Sequence, residues 1–409
     1  MLFKLSWRNI ITKPLSSGLS VLLLASGIVI ILITLLTFNQ IEEKFRNNAA
    51  EIDLVVGAKG SRLQLVLCNI YQVDQPTGNI DYARTGFIRN HPFVKMTIPL
   101  SLGDNYKTYR IVGTTHEYID SLYKGEIDRG RKWETPMEVV IGEGIASKLG
   151  LDLGDEFFGG HGIGESVHSH DDFSYKVVGV LKRNNTVLDN LLLTSLESVW
   201  EVHNEEDQNK GSFDLRMEGD SIIKNESKAK EVTSLLVFYN SPRAKFTIPG
   251  MANNLEGLMA AEPAIEIQQL IELIRPALSV MKSMAVLVII IAGLSMFIAM
   301  FNSLKDRKYE IALLRISGAS SFQVFSTIIT EGLMISFIGF ILGTGLSHVG
   351  MEIFSGYLSQ NYHYDFTGWI WLDVEWYILL GSFLIGMISA LYPAIKAYQM
   401  DISETLSKN

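Results

Sequence analysis

Four stretches of about twenty residues carry almost no charge, and they restrict this chain more than any other feature. The first, from Gly18 to Phe38, reads GLSVLLLASGIVIILITLLTF; the others run from about Ser283 to Phe301, Phe325 to Val349 and Trp376 to Tyr398. Hydrocarbon offers no partner for a bare N–H or C=O, so an apolar run long enough to cross about 30 Å is expected as a helix that satisfies its own backbone. A cleaved signal peptide competes for the first run, but its apolar core would span about 7–15 residues and lead into small residues, whereas NQIEEKF follows here. All four are therefore expected as spanning helices. With 47% hydrophobic and 19% charged residues and a mean hydropathy of +0.20, the composition of the whole chain fits a membrane protein.

The expected order of parts is an amphipathic cytoplasmic helix over 1–17 and a first span over 18–38. Stalks and a large extracytoplasmic domain fill 39–282, followed by a second span over 283–303. A cytoplasmic segment over 304–324, a third span over 325–350, an outer loop over 351–375, a fourth span over 376–398 and a cytoplasmic tail over 399–409 complete it. The fold class is thus four transmembrane helices with an α+β domain inserted between the first and second. Lys4, Arg8 and Lys13 precede the first span and Lys305, Arg307, Lys308 and Arg315 separate the second from the third. The loop from Met351 to Glu375 holds four carboxylates and no Lys or Arg. Basic residues are retained inside, so both termini are expected in the cytoplasm of a multi-pass protein; Arg275 and Lys282 oppose this and are outnumbered.

Between residues 41 and 275 there are 35 acidic and 25 basic side chains, a balance of −10, which speaks against nucleic acid as a partner. The lone Cys68 allows no disulfide within the chain, so this domain must rest on its own core. KMTIPLSL, KTYRIVGTT, SYKVVGVL, NLLLTS and FDLRME read as strands, and MEVVIGEGIASKLGLDLGDEF as strand, short helix and turn. NQIEEKFRNNAAEID and AIEIQQLIELIRPALSVMKSM read as helical extensions of the first two spans, with Pro276 as a kink or a start; a solvated linker is the plainer reading of both.

A short charged segment, DRKYEIALLRISGAS, lies between the second and third spans. Ile311, Leu313, Leu314 and Ile316 form an apolar face, Arg307, Glu310 and Arg315 fall among the polar residues, and Gly318 is expected near the helix end. Such a helix lies on the membrane surface, either as an anchor or as a docking element for a cytoplasmic partner.

The residues here resemble the FtsX-like, MacB-type permeases of ABC transporters. Arg307, Glu310, Ile311, Leu314, Gly318 and Ala319 match the family's run between its second and third spans. TEGLMISFIGFILGTGLS matches its glutamate-then-glycine helix, and YPAIKAYQMDISETLS its ending, with Ile402 where proline is usual; the permease domain would cover about 283–403. VVIGEGIASKLGLDLGDEF and YKVVGVL resemble its outer domain. The resemblance implies a dimer of permeases, identical or related, served by separate cytoplasmic ATPase subunits. ATP and Mg would bind in the partner, with no cofactor in this chain and no enzyme activity of its own. The coupling residues would be Arg307, Glu310, Leu314, Arg315, Gly318 and Ala319. It further implies mechanotransmission to the outer domain for export or extraction of a hydrophobic, peptide or lipoprotein substrate, with a periplasmic adaptor possible. No G-x-x-x-x-G-K-S/T loop occurs in the chain.

Within the spans, Glu331 is an ionisable group in the membrane that either pairs with the coupling segment or reaches water. Gly339, Gly343 and Gly345 form a small-residue face suited to helix packing. Trp369, Trp371, Trp376 and Tyr377 read as an interfacial aromatic belt. In HGIGESVHSHDDF, the residues His161, His168, His170, Asp171 and Asp172 are a competent donor set for zinc or another divalent metal, set against a plain solvated loop. The alternatives are a signalling permease that regulates a cell-wall hydrolase, a metal-related transport system, and a stand-alone receptor or adhesin.

Overall fold

A computed structural model describes residues 2–12, 14–49, 51–161, 168–209, 217–218, 221–222, 230–362 and 366–400. The chain divides into two compact units, Met1–Ile41 with Ile274–Asn409, and Glu42–Leu273. Each has its own core.

The first unit is helical. A short helix, Leu2–Thr12, precedes a long first helix, Pro14–Ala49; the second long helix is Pro263–Asp306, the third Ser321–Tyr362 and the fourth Val374–Tyr398. All four long helices are long and apolar enough to cross a membrane. The second begins with Pro263 at its first position, where the missing N–H costs nothing, so Pro276 lies inside it rather than at its start. Leu24, Ile28 and Leu32 of the first helix meet Ala292, Met296 and Met300 of the second, Met334, Ile335 and Phe340 of the third, and Ala390 of the fourth in one buried cluster. Helix–helix association in lipid rests on close packing. The backbones of the third and fourth helices come so close that a Cβ on Gly332 would fall 2.6 Å from the Gly386 carbonyl oxygen. Many large apolar side chains of the second helix remain exposed, among them Leu287, Ile290, Leu294 and Ile298.

The second unit is α+β. Its main sheet has ten strands: β1 Leu54–Ala58, β2 Val94–Tyr106, β3 Tyr109–Thr114, β4 Ile127–Gly130, β5 Glu138–Ile141, β6 Glu156–His161, β7 His168–Leu181, β8 Leu191–Ser195, β9 Ser234–Tyr239 and β10 Leu258–Ala261. Neighbours run β10-β1-β9-β2-β3-β8-β5-β7-β4, with β6 beside β2 and β7. The pairs β3–β8 and β5–β7 are parallel and the others antiparallel.

Both faces of the central strands are covered. Val55, Leu236, Ile98, Val112 and Leu193 enter one core, whereas Leu54, Val56, Leu235 and Val237 enter a second and Ile111, Val139, Ile141 and Leu192 a third. The helix Glu143–Leu149 follows β5 and stops at Gly150, whose φ of 69° is a left-handed cap that favours glycine. Cys68 is buried and free, with the Arg110 guanidinium 3.3 Å from its sulfur; burial pushes its thiol up from the ordinary range. Of FDLRME, the described residues are Met217–Glu218, a two-residue strand paired with Ser221–Ile222.

Candidate coupling site and family relationships

After Asp306 the second long helix breaks at Arg307 (φ −107°, ψ 11°) and a nine-residue helix, Lys308–Ile316, follows. It ends at Ser317, and Gly318 takes φ 101°, a left-handed value that glycine adopts without strain and that turns the chain into the third long helix at Ser321. Two flexion points, Arg307 and Gly318, thus bracket one short helix. Ala312 is its buried residue, and Ile311 packs beside Leu304, Val324 and Ala397. Tyr309, Leu313, Leu314 and Ile316 are exposed.

The residues singled out from the sequence fall into two groups. Arg307 and Glu331 come together: the Arg307 Nη1 lies 3.5 Å from Glu331 Oε2, and its Nε lies 3.7 Å from Glu310 Oε2. Asn9 of the amino-terminal helix donates to the same Glu331 oxygen at 3.3 Å, and Ser6 donates to the Thr327 carbonyl at 3.0 Å. A buried carboxylate on the third helix is therefore shared by the break after the second helix and the amino-terminal helix. Met300, Ser303, Leu304, Ile311 and Ile328 surround the pair in a crevice of about 20 Å³, room for one or two waters. Arg315 donates to the Met400 carbonyl at 2.7 Å and so ties the far end of the short helix to the tail. Glu310, with 70% of its side chain exposed, sits on the polar face as expected; Arg307, at 19%, does not, because the ion pair with Glu331 draws it inward.

Gly339 and Gly343 face the first helix. A Cβ on Gly339 would lie 2.9 Å from Leu24 Cδ2, and one on Gly343 2.8 Å from Ile28 Cβ and 3.0 Å from the Ala25 carbonyl, whereas Gly345 has nothing within 4 Å. The close Gly332–Gly386 contact was not singled out from sequence, although G-x-x-x-A spacing at Gly386 and Ala390 carries the small-residue signal.

A second polar cluster went unseen in the sequence. His348 of the third helix lies 3.1 Å from the fully buried Glu375 at the start of the fourth helix, and its other ring nitrogen contacts the Gly368 carbonyl. Glu375 also accepts from the Leu372 N–H at 2.9 Å, and Glu352 from the Gly368 N–H at 2.7 Å. Gln40 of the first helix exchanges two hydrogen bonds of 2.9 Å with the backbone of Thr367. Trp371, expected in an aromatic belt, stacks on the His348 ring at 6.0 Å. Side chains from three long helices thus fasten the loop before the fourth.

The metal-ligand candidates stand apart. His161 and His168 pair across β6 and β7 through their backbones, but the side chains of His161, His168, His170, Asp171 and Asp172 lie outside the described residues. Among the described residues no group of three or more His, Cys, Asp and Glu is placed to hold a metal.

Comparison with known proteins accounts for both units. Residues 17–223 match the family model described as MacB-like periplasmic core domain, and residues 282–402 the model described as FtsX-like permease C-terminal. The chain belongs to the FtsX-like, MacB-type family of ABC transporter permeases, and its α+β domain between the first and second long helices is the family's outer domain. It is similar to an uncharacterized ABC transporter permease, YknZ, of Bacillus subtilis, 26% identical over a stretch that covers 31% of each chain. It is also similar to an uncharacterized ABC transporter permease, MJ1507, of Methanocaldococcus jannaschii, 22% identical over 71% of this chain and 67% of the relative. The chain thus spans about a third of the first relative's length and two thirds of the second's. The crystal structure of the extracellular domain of the noncanonic ABC-type transporter YknZ aligns over 52% of this chain and 99% of that one, at 13% identity and a TM-score of 0.30.

Proposed function

We propose that this permease receives the stroke of a separate cytoplasmic ATPase at the helix Lys308–Ile316 and transmits it to its outer domain, with ATP and Mg held by the partner. The observation that carries this reading is the Arg307–Glu331–Asn9 network, which joins the approach to the short helix, the third helix and the amino-terminal helix through one buried carboxylate. Two flexion points let the short helix move as a body, and its exposed Tyr309, Leu313, Leu314 and Ile316 offer an apolar surface, with Glu310 beside it, to a partner. In this reading both termini are cytoplasmic, as the basic residues flanking the spans support. Two permease copies, identical or related, serve one ATPase pair, and the large outer domain works on a hydrophobic, peptide or lipoprotein substrate for export or extraction, with or without an adaptor.

Co-purification of the full chain with its ATPase tests this. Glu310→Lys should leave the fold intact yet weaken capture or coupled ATP turnover at least tenfold. Wild-type capture and turnover in that variant would remove the short helix from the role.

A further inference from the structure

One membrane edge carries a cluster that the coupling reading leaves unused. Phe301 and Lys305 stand one turn apart in the last turns of the second long helix, and Tyr392 and Lys396 repeat the arrangement in the last turns of the fourth. The rings of Phe301 and Tyr392 meet across the two helices at 6.0 Å, and Phe297, one turn deeper, lies 6.1 Å from Phe301 and 5.9 Å from Tyr392. Both ammonium groups turn onto the same ring: Lys305 Nζ is 4.8 Å and Lys396 Nζ 5.1 Å from the Phe301 centroid. Those distances hold the two charges within roughly 10 Å of each other. Neither lysine has a carboxylate partner among the described residues, and the Tyr392 hydroxyl makes no hydrogen bond to any of them.

Two lysines at helix ends would ordinarily extend separately into water. Here two like charges from helices far apart in sequence share one aromatic floor, which offsets their repulsion only in part. An anion between them would turn that repulsion into attraction, with the Tyr392 hydroxyl as a further donor. The anion abundant at a membrane edge is a phosphodiester, and the exposed Tyr392 ring and half-buried Phe297 continue the patch toward the hydrocarbon for an acyl chain.

We propose that Lys305, Lys396, Phe301 and Tyr392 form a binding site for the phosphate headgroup of an anionic phospholipid where the second and fourth helices end. The site is independent of the ATPase reading and of the orientation of the chain.

The test is a titration of the full chain in neutral detergent with phosphatidylglycerol, phosphatidylcholine or inorganic phosphate, followed by lipid retention in native mass spectrometry and by thermal unfolding. Phosphatidylglycerol should be retained over phosphatidylcholine and raise the unfolding midpoint. Lys305→Gln with Lys396→Gln should weaken that binding on the order of thirtyfold, each lysine contributing about fivefold. Lys305→Arg with Lys396→Arg should keep it, and Phe301→Leu, which leaves both charges but removes their floor, should weaken it. Lys308→Gln, at the same edge but off the ring, should leave it unchanged. Equal retention in wild type and the double glutamine variant, or equal loss on Lys308→Gln, would overturn the site. Equal stabilisation by inorganic phosphate would overturn the lipid as its ligand. If the double variant does not fold, Phe301→Leu decides: unchanged retention there overturns the proposal.

Discussion

The membrane unit buries two carboxylates against its third helix, Glu331 and Glu375, and the two are held in different ways. Glu331 and His348 are seventeen residues apart, about 25 Å along the helix. At the lower position, Glu331 is met by two side chains, Arg307 from a break between helices and Asn9 from a short helix. At the upper, the His348–Glu375 pair is sewn to main chain, to the Gly368 carbonyl and the Leu372 N–H, while Gln40 and Glu352 hold Thr367 and Gly368. Side-chain pairs can part and re-form when helices slide; a loop tied through its own backbone groups moves only if several hydrogen bonds break together. One end is built to give, the other to hold.

Loss of the holding end should cost most. Glu375→Leu strands the Leu372 N–H and deprives His348 of its partner, so the detergent-solubilised chain should lose about 3 kcal/mol of stability in thermal or denaturant unfolding. Removing both partners, His348→Leu with Glu375→Leu, should not restore it, because the loop backbone stays unsatisfied. A full recovery would erase the distinction between the two ends.

Arg307→Leu should cost about 2 kcal/mol, less because Asn9 and the small crevice still serve Glu331. Adding Glu331→Leu should recover at least half of that, since it removes the buried carboxylate that the first change leaves without its counter-charge. A double variant as unstable as Arg307→Leu alone would show that the lower end is as rigid as the upper.

Between the two clusters lies the packed middle. Gly343→Leu drives a side chain into Ile28 and the Ala25 carbonyl and should cost about 1–3 kcal/mol, whereas Gly345→Leu, with open space around it, should change stability by less than about 0.5 kcal/mol. Equal effects would mean that the contact of the first and third helices is not the close one described.

The smallest effect sharpens the contrast with the outer domain, where a charge pair sits at a rim. The Arg131 guanidinium, helped by the Glu134 and Thr135 N–H groups, holds the Glu138 carboxyl down to about 2, below its ordinary 4.5. A depressed carboxyl stabilises the fold fully above about 4.5 and loses that contribution as pH falls toward about 2. The gap in unfolding midpoint between wild type and Glu138→Gln should therefore shrink between pH 6 and pH 3. A gap constant with pH would contradict it.

What the sequence made legible follows from how each signal is written. The four long helices were plain because an uncharged run of twenty residues has few other uses, and β2, β3, β5, β7 and β8 because alternation or a bounded apolar run marked them. β1, β9 and β10 were missed: LVVGA, SLLVFY and LMAA are buried on both faces, so they show no alternation and resemble any short apolar stretch. Arg307 and Glu331 were visible as charges near spans, but the inward turn of Arg307 depends on the helix break, which a continuous amphipathic pattern hides. His348 and Glu375 looked like residues near a membrane surface; their union depends on the path of a loop, which residue spacing does not encode.

The position of β1 bears on how the protein is made. β1, the first strand synthesised, pairs with β9 and β10, the last two of the sheet, so it has no partner until some 180 further residues have emerged. During that interval an apolar ribbon with two open edges is tethered to the first helix, a state prone to wrong pairing. Biogenesis of this permease therefore has a vulnerable window between the arrival of its first and second membrane helices, closed only when Ser234–Tyr239 and Leu258–Ala261 take their places on either side of Leu54–Ala58.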